Sequence, residues 1–137
     1  MKIVFDTNVY ISEALFNALA EAIVRPAREG FFSVYVSDFI LAEVRRVLLK
    51  DFKTTRRFAS LTTKRIGRFS RLVPTSRRSF QTLLDPNDHP VLETAINASA
   101  DFLVTGDKHL LVLSPFQGIV ILRVGEFYRL LKASSLV

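Results

Sequence analysis

Four short, largely apolar runs alternate along this chain with stretches in which apolar residues return every three or four positions. The runs are Ile3-Val4-Phe5, Ser33 to Val36, Phe102-Leu103-Val104 and Ile119 to Leu122. Apolar residues on consecutive positions mark strands buried on both faces. After the first run, Ile11, Leu15, Leu19 and Ile23 recur beside Ala18 and Ala22. This predicts one amphipathic helix, with Ser12 as a cap near its start and Pro26 disturbing its end. Gly30 closes the connection. Ser37 or Asp38 caps a second helix, whose stripe is Ile40, Val44, Val47 and Leu48. Phe58, Leu61 and Phe69 predict at least one more helix, and Pro74 opens a loop. Asp85-Pro86-Asn87-Asp88 is turn chemistry. Pro90 suits the first position of a helix carrying Val91, Leu92, Ala95 and Ile96, and Asp101 ends that segment. Lys108 to Leu113 reads as a short helical or irregular link, and Gly125 to Leu131 as a last helix.

The resulting order, β-α-β-α-α-α-β-α-β-α, predicts an α/β fold of three layers: a mainly parallel, four- or five-stranded sheet between helices. The 137 residues, 49% of them hydrophobic, suffice for one core, and residues 1–137 are expected to form a single domain. No repeat, low-complexity tract or linker interrupts it. With no cysteine, a disulfide framework and a thiolate metal site are excluded, and two histidines make a zinc site unexpected. No apolar run reaches about 18 residues, and charged residues stand near the start. No membrane association and a cytoplasmic location are therefore the expectation.

Charge changes the picture. The chain carries a formal +6, and more than half of its Lys and Arg fall between residues 50 and 80. Such a segment is either a solvated helical face or a surface that tracks phosphates near a site. Its concentration favours the second, with Arg56, Arg57, Lys64, Arg65 and Arg68 as phosphate-contacting candidates. The acids are placed differently. Asp6 ends the first run and Thr105-Gly106-Asp107 leaves the third, so both carboxylates fall at the strand ends that border a ligand crevice in open α/β sheets. Glu43 stands at the rim of its helix's apolar stripe, although an isolated helical Glu more often pairs in solvent, here with Arg46. Asp88 by itself would serve as an N-cap. Clustered acids favour a positive occupant, and without Cys or a His set that is a hard cation, Mg²⁺ or Mn²⁺.

An Asp after the first strand also occurs in phosphoaspartyl enzymes and receiver domains. The first would want a second Asp where Asn8 stands, and the second a phosphoacceptor after a middle strand. No glycine-rich phosphate loop is present. What fits is Asp6-Thr7-Asn8 after a strand, a helical Glu43, an acid at Asp88, and ADFLVTGDKHLL over residues 100–111. From Lys2 to about Leu131 the chain resembles the PIN-domain nucleases, and among them the VapC-like toxins of toxin–antitoxin systems.

The resemblance implies a PIN-like fold and a metal-dependent endoribonuclease. Asp6, Glu43, Asp88 and Asp107 would bind Mg²⁺ or Mn²⁺, and Asn8 and Thr105 would support them. At the third acid the family commonly reads Asp-Pro-Asp-Asp; here Asn87 replaces one acid and His89 follows. Asp88 is the best match and Asp85 the alternative. His89 is expected to be structural or capping. Glu93, where a small residue is usual, is either a fifth acid near the metal or solvated, and the second is favoured. The implied partners are RNA and a cognate antitoxin, with a homodimer possible. Rival readings are a catalytically weak RNA-binding module, a housekeeping RNA-processing nuclease and, more weakly, a phosphatase.

Overall fold

The computed structural model describes residues 1–75 and 89–136, and of His89 the backbone alone. The candidates Asp85 and Asp88 therefore lie outside the described residues. β1 (Lys2–Phe5) leads into α1 (Thr7–Ala14) and α2 (Ala18–Arg28), and β2 (Ser33–Val36) into α3 (Asp38–Lys50) and α4 (Arg56–Phe69). β3 (Ser70–Leu72), α5 (His89–Asn97), β4 (Phe102–Val104), α6 (Lys108–Leu111), β5 (Val120–Leu122) and α7 (Val124–Ala133) follow.

Among the described residues the five strands pair in parallel, in the order β3-β2-β1-β4-β5. The central strand is apolar because both its faces are covered: Ile3, Val4 and Phe5 are fully buried. Phe5 meets Tyr10, Phe32 and Phe127 edge-on, at ring separations of 5.7, 6.5 and 6.0 Å. Each such pair contributes about 0.5–1.5 kcal/mol beyond its buried area. From β1 the chain crosses toward β2 and β3, whereas from β4 it crosses toward β5. Right-handed crossovers in opposite directions put helices on opposite faces. Accordingly α5 lies against β1, β2 and β4, while α2 packs on α7. The three-layer α/β/α expectation holds, with five strands.

Four local expectations need correction. The single helix over residues 11–23 is two helices, because Phe16 turns left-handed (φ 67°) and the Asn17 side chain accepts from the Ala20 N–H at 3.0 Å, capping α2. Asp6, not Ser12, caps α1. Pro26 lies inside α2 rather than at its end. Finally, the sequence reading had no β3, a three-residue edge strand of Ser70, Arg71 and Leu72.

Candidate active site

The strand order reverses between β1 and β4, and their register sets Phe5 beside Val104, so both strands end level. Such a reversal opens a crevice at the carboxyl ends of the strands, where ligands of open α/β sheets bind. Asp6 and Thr105 are the first residues past those two ends. The Asp6 N–H still donates to the Val104 carbonyl at 2.9 Å, fixing its backbone in the sheet. One carboxylate oxygen, Oδ1, accepts from the Thr7 N–H at 2.7 Å. The other, Oδ2, accepts from the Thr105 hydroxyl at 2.6 Å, and the same Thr105 oxygen accepts from the Asp107 N–H at 3.0 Å. One buried hydroxyl thus ties the Thr105-Gly106-Asp107 turn to the Asp6 carboxylate. Asp107 in turn caps α6, accepting from the His109 N–H at 2.8 Å, with His109 Nδ1 at 3.3 Å from the same oxygen.

Asp6 is 8% exposed. Burial pushes its carboxyl above the ordinary value of 3.8; the Thr105 and Thr7 hydrogen bonds pull it back, and the charges of Asp107 and Glu43 push it up again. Asp6, Asp107 and Glu43 therefore share one electrostatic neighbourhood. Glu43 also pairs with Arg46, Oε1 to Nη2 at 3.3 Å, so the rim position and the ordinary i,i+3 pairing occur together. Asn8 is exposed in the first turn of α1. Ser37, which caps α3, and Thr94 of α5 are fully buried, with their hydroxyl oxygens 2.8 Å apart, and Thr94 also reaches the Pro90 carbonyl at 2.7 Å. This pair joins the helix of Glu43 to the helix that follows Asp88. Thr94 was not singled out in the sequence; its signal is a polar residue beside the apolar positions Leu92 and Ala95. Glu93, expected in solvent, is buried at 3% exposure.

The basic candidates are divided. Arg56, Arg57, Lys64 and Arg68 are exposed. Arg65 is turned inward and grips Glu13 with both terminal nitrogens, at 2.6 and 2.7 Å, while Arg28 holds the same carboxylate at 2.8 Å. A cavity of about 590 Å³ opens beside this network, among α1, α2 and α4. The expectation that the basic segment adjoins the acids is corrected for the end of α4. That helix runs directly into Ser70, which is level with Val34 and hence with Ile3, at the opposite edge of the sheet.

The donors at the acidic edge are hard oxygens: three carboxylates and the Thr105 hydroxyl. The Thr7 hydroxyl beside them is buried without a hydrogen-bond partner among the described residues. This chemistry, with mutually repelling acids, fits a hard divalent cation. Among the described residues no three acidic or imidazole groups stand close enough to enclose an ion.

The PIN-domain family matches residues 2–109, a span that takes in Asp6, Glu43, Thr105 and Asp107. In three dimensions the chain is similar to one in the crystal structure of VapBC2 from Rickettsia felis bound to a DNA fragment from their promoter. The TM-score is 0.65 at 12% identity, over 90% of this chain and 98% of that one. At that identity the likeness speaks for the fold. No curated protein matches the sequence.

Proposed function

The chain belongs to the PIN-domain family, whose members are generally nucleases, and on that premise we propose that it is a metal-dependent endoribonuclease and the toxin of a toxin–antitoxin pair. The observation that carries this is Asp6: a buried carboxylate whose charge is disfavoured by burial and by two neighbouring acids, yet held in place by Thr105. Neither a core nor a plain N-cap needs that arrangement. A cation site does.

In this reading Asp6, Asp107 and Asp88 hold Mg²⁺ or Mn²⁺, with Glu43 as a further ligand or as the group that orients the attacking water. The bound ion would supply charge relief at the phosphate and a water acidified toward neutral pH. Thr105 keeps Oδ2 of Asp6 in one orientation, and its bond to the Asp107 N–H sets the spacing of the two acids. Arg46, paired with Glu43, balances that carboxylate until the site is loaded. Asn8, the exposed residue in the otherwise buried first turn of α1, would present its side chain to a phosphate oxygen.

An antitoxin partner is supported by the likeness to a chain of VapBC2; a homodimer is part of the proposal. Among the described residues no helix is long and apolar enough to cross a membrane. A cytoplasmic location is a separate part of the proposal, the compartment in which an RNA-cleaving toxin would meet its substrate. The test is incubation of mixed-sequence RNA with the protein and Mn²⁺ or Mg²⁺, beside EDTA and Asp6→Asn controls. Cleavage that both controls abolish is the expected result. RNA that is bound but left intact across metals would return the second reading, an RNA-binding module.

A further inference from the structure

α4 is charged against its own stability. It contains no acid, and Arg56 and Arg57 occupy its first turn, where the positive end of the helix dipole disfavours cations. Lys64 and Arg68 are like charges four apart on one face, a further destabilising pair. Arg57, Lys64 and Arg68, with the half-exposed Leu61 among them, form one solvent-facing stripe about 16 Å long. Among the described residues these three cations and Arg71 form no ion pair, in contrast to Arg65, which is committed to Glu13.

Its position follows from three anchors. The Thr54 N–H, just before α4, donates to the Leu48 carbonyl at 3.0 Å, near the end of α3. Arg65, in the middle, holds Glu13 in the last turn of α1. Phe69 passes straight into Ser70, level with Ile3. Both α1 and α3 start at the acidic edge, after Asp6 and Ser37, and run away from it. α4 is therefore tied to their far ends, about 10 Å or more from the acids along α1. Arg71, exposed on the edge strand β3 and in register with Tyr35, stands between the two levels.

We propose that the stripe Arg57, Lys64 and Arg68 is a second RNA-binding surface, separated from the acids by the depth of the sheet. The substrate is then an RNA strand long enough to engage both, passing the β3 edge at Arg71. This rests on the nuclease reading for the acidic edge but is tested apart from it. A row of cations without an ion pair among the described residues suits a strand's phosphates, since each contact gains by releasing counterions.

The test uses the full chain with Asp6→Asn, alone and combined with Arg57→Gln, Lys64→Gln and Arg68→Gln. Binding is measured by anisotropy across salt, with RNAs of about five and about thirty nucleotides, lengths that bracket single-strand site sizes. Losing three phosphate contacts should flatten the log–log salt slope for the long RNA by about 2, since single strands contribute about 0.7 per contact. A fourfold rise in salt then costs the variant roughly 15–20-fold less affinity than the parent. The preference for long over short RNA should collapse, and Arg57→Lys with Arg68→Lys should keep it. Arg57→Gln removes a cation from the first turn and relieves the dipole, Arg68→Gln gives up a favourable cation in the last turn, and thermal melts check that the variant is folded. An unchanged slope for the long RNA would overturn the proposal. So would an equal loss for the short RNA, which would merge the stripe with the crevice, or tighter binding of duplex DNA than of RNA. If the intact protein cuts no RNA while the salt result holds, the nuclease reading fails and the second surface stands.

Discussion

Thr105→Val isolates the hydroxyl on which the acidic edge turns. Valine matches threonine in shape, so the fully buried site keeps its packing and loses two hydrogen bonds. The bond to a charged Asp6 stabilises by about 1.5–3 kcal/mol, and the partly buried Asp107 N–H left alone costs about 1 more. The sum is roughly 3 kcal/mol where Asp6 is ionised. The pH dependence carries the diagnosis. Asp6 titrates above 3.8 in the folded protein because of burial first, and the Thr105 bond opposes that rise. A carboxyl with a raised folded pKa favours the folded state below its unfolded value, and that contribution is lost as pH rises through the folded value. Removing Thr105 raises the folded value further, so the deficit should be small near the unfolded value and grow with pH until Asp6 is ionised in both proteins. Urea unfolding at steps from about pH 4 to about pH 8 measures this, with Thr105→Ser as the variant that retains the hydroxyl. A constant deficit across that range, or a serine variant as weak as valine, would refute the reasoning. If the nuclease reading holds, the acid limb of the cleavage profile moves to higher pH in the valine variant.

Asp6→Asn removes the buried charge while an amide still accepts from Thr7. Without metal, its melting temperature at neutral pH should exceed that of the parent, and the difference should vanish below about pH 4; a variant that melts lower at neutral pH counts against a disfavoured charge. The stabilisation that Mn²⁺ gives the parent should be absent from it. Glu13→Gln leaves two arginines facing an amide. Breaking a fully buried pair costs about 3–5 kcal/mol, but Arg28 and Arg65 are 27% and 37% exposed, so a loss of about 2 kcal/mol is expected. A urea midpoint within error of the parent would show the network to be no stronger than a surface pair.

The sheet was legible where burial imposes a pattern. β1, β2, β4 and β5 are apolar runs because strands covered on both faces tolerate little else, and their ends locate Asp6 and Asp107. β3 was not legible: Ser70-Arg71-Leu72 is short, lies at an edge and faces water, so no apolar run marks it. The break between α1 and α2 was hidden because Leu15 and Leu19 continue the four-residue spacing through it, while the deciding signal was the single side chain of Asn17. Pro26 was expected to disturb the helix's end because proline removes a helical hydrogen bond, yet α2 continues through it to Arg28. Glu43 showed why local rules underdetermine a site: its pairing with Arg46 is local, its interaction with Asp6 is not. The same holds for α4, whose charge was plain in the sequence and whose edge of the sheet depends on pairings between distant segments.

The Thr105 hydroxyl reaches Asp6 across 99 positions of sequence. At about 5–20 residues per second of synthesis, Asp6 leaves the ribosome roughly 5–20 s before the residue that orients it. During that interval β1 has no β4 beside it, and the crevice at the strand reversal does not exist. A nascent or prematurely terminated chain thus carries Asp6 and Glu43 without an assembled site. On the proposed endoribonuclease reading, this delay would keep a chain still on the ribosome from cutting the message that encodes it. The timing is written into the strand order.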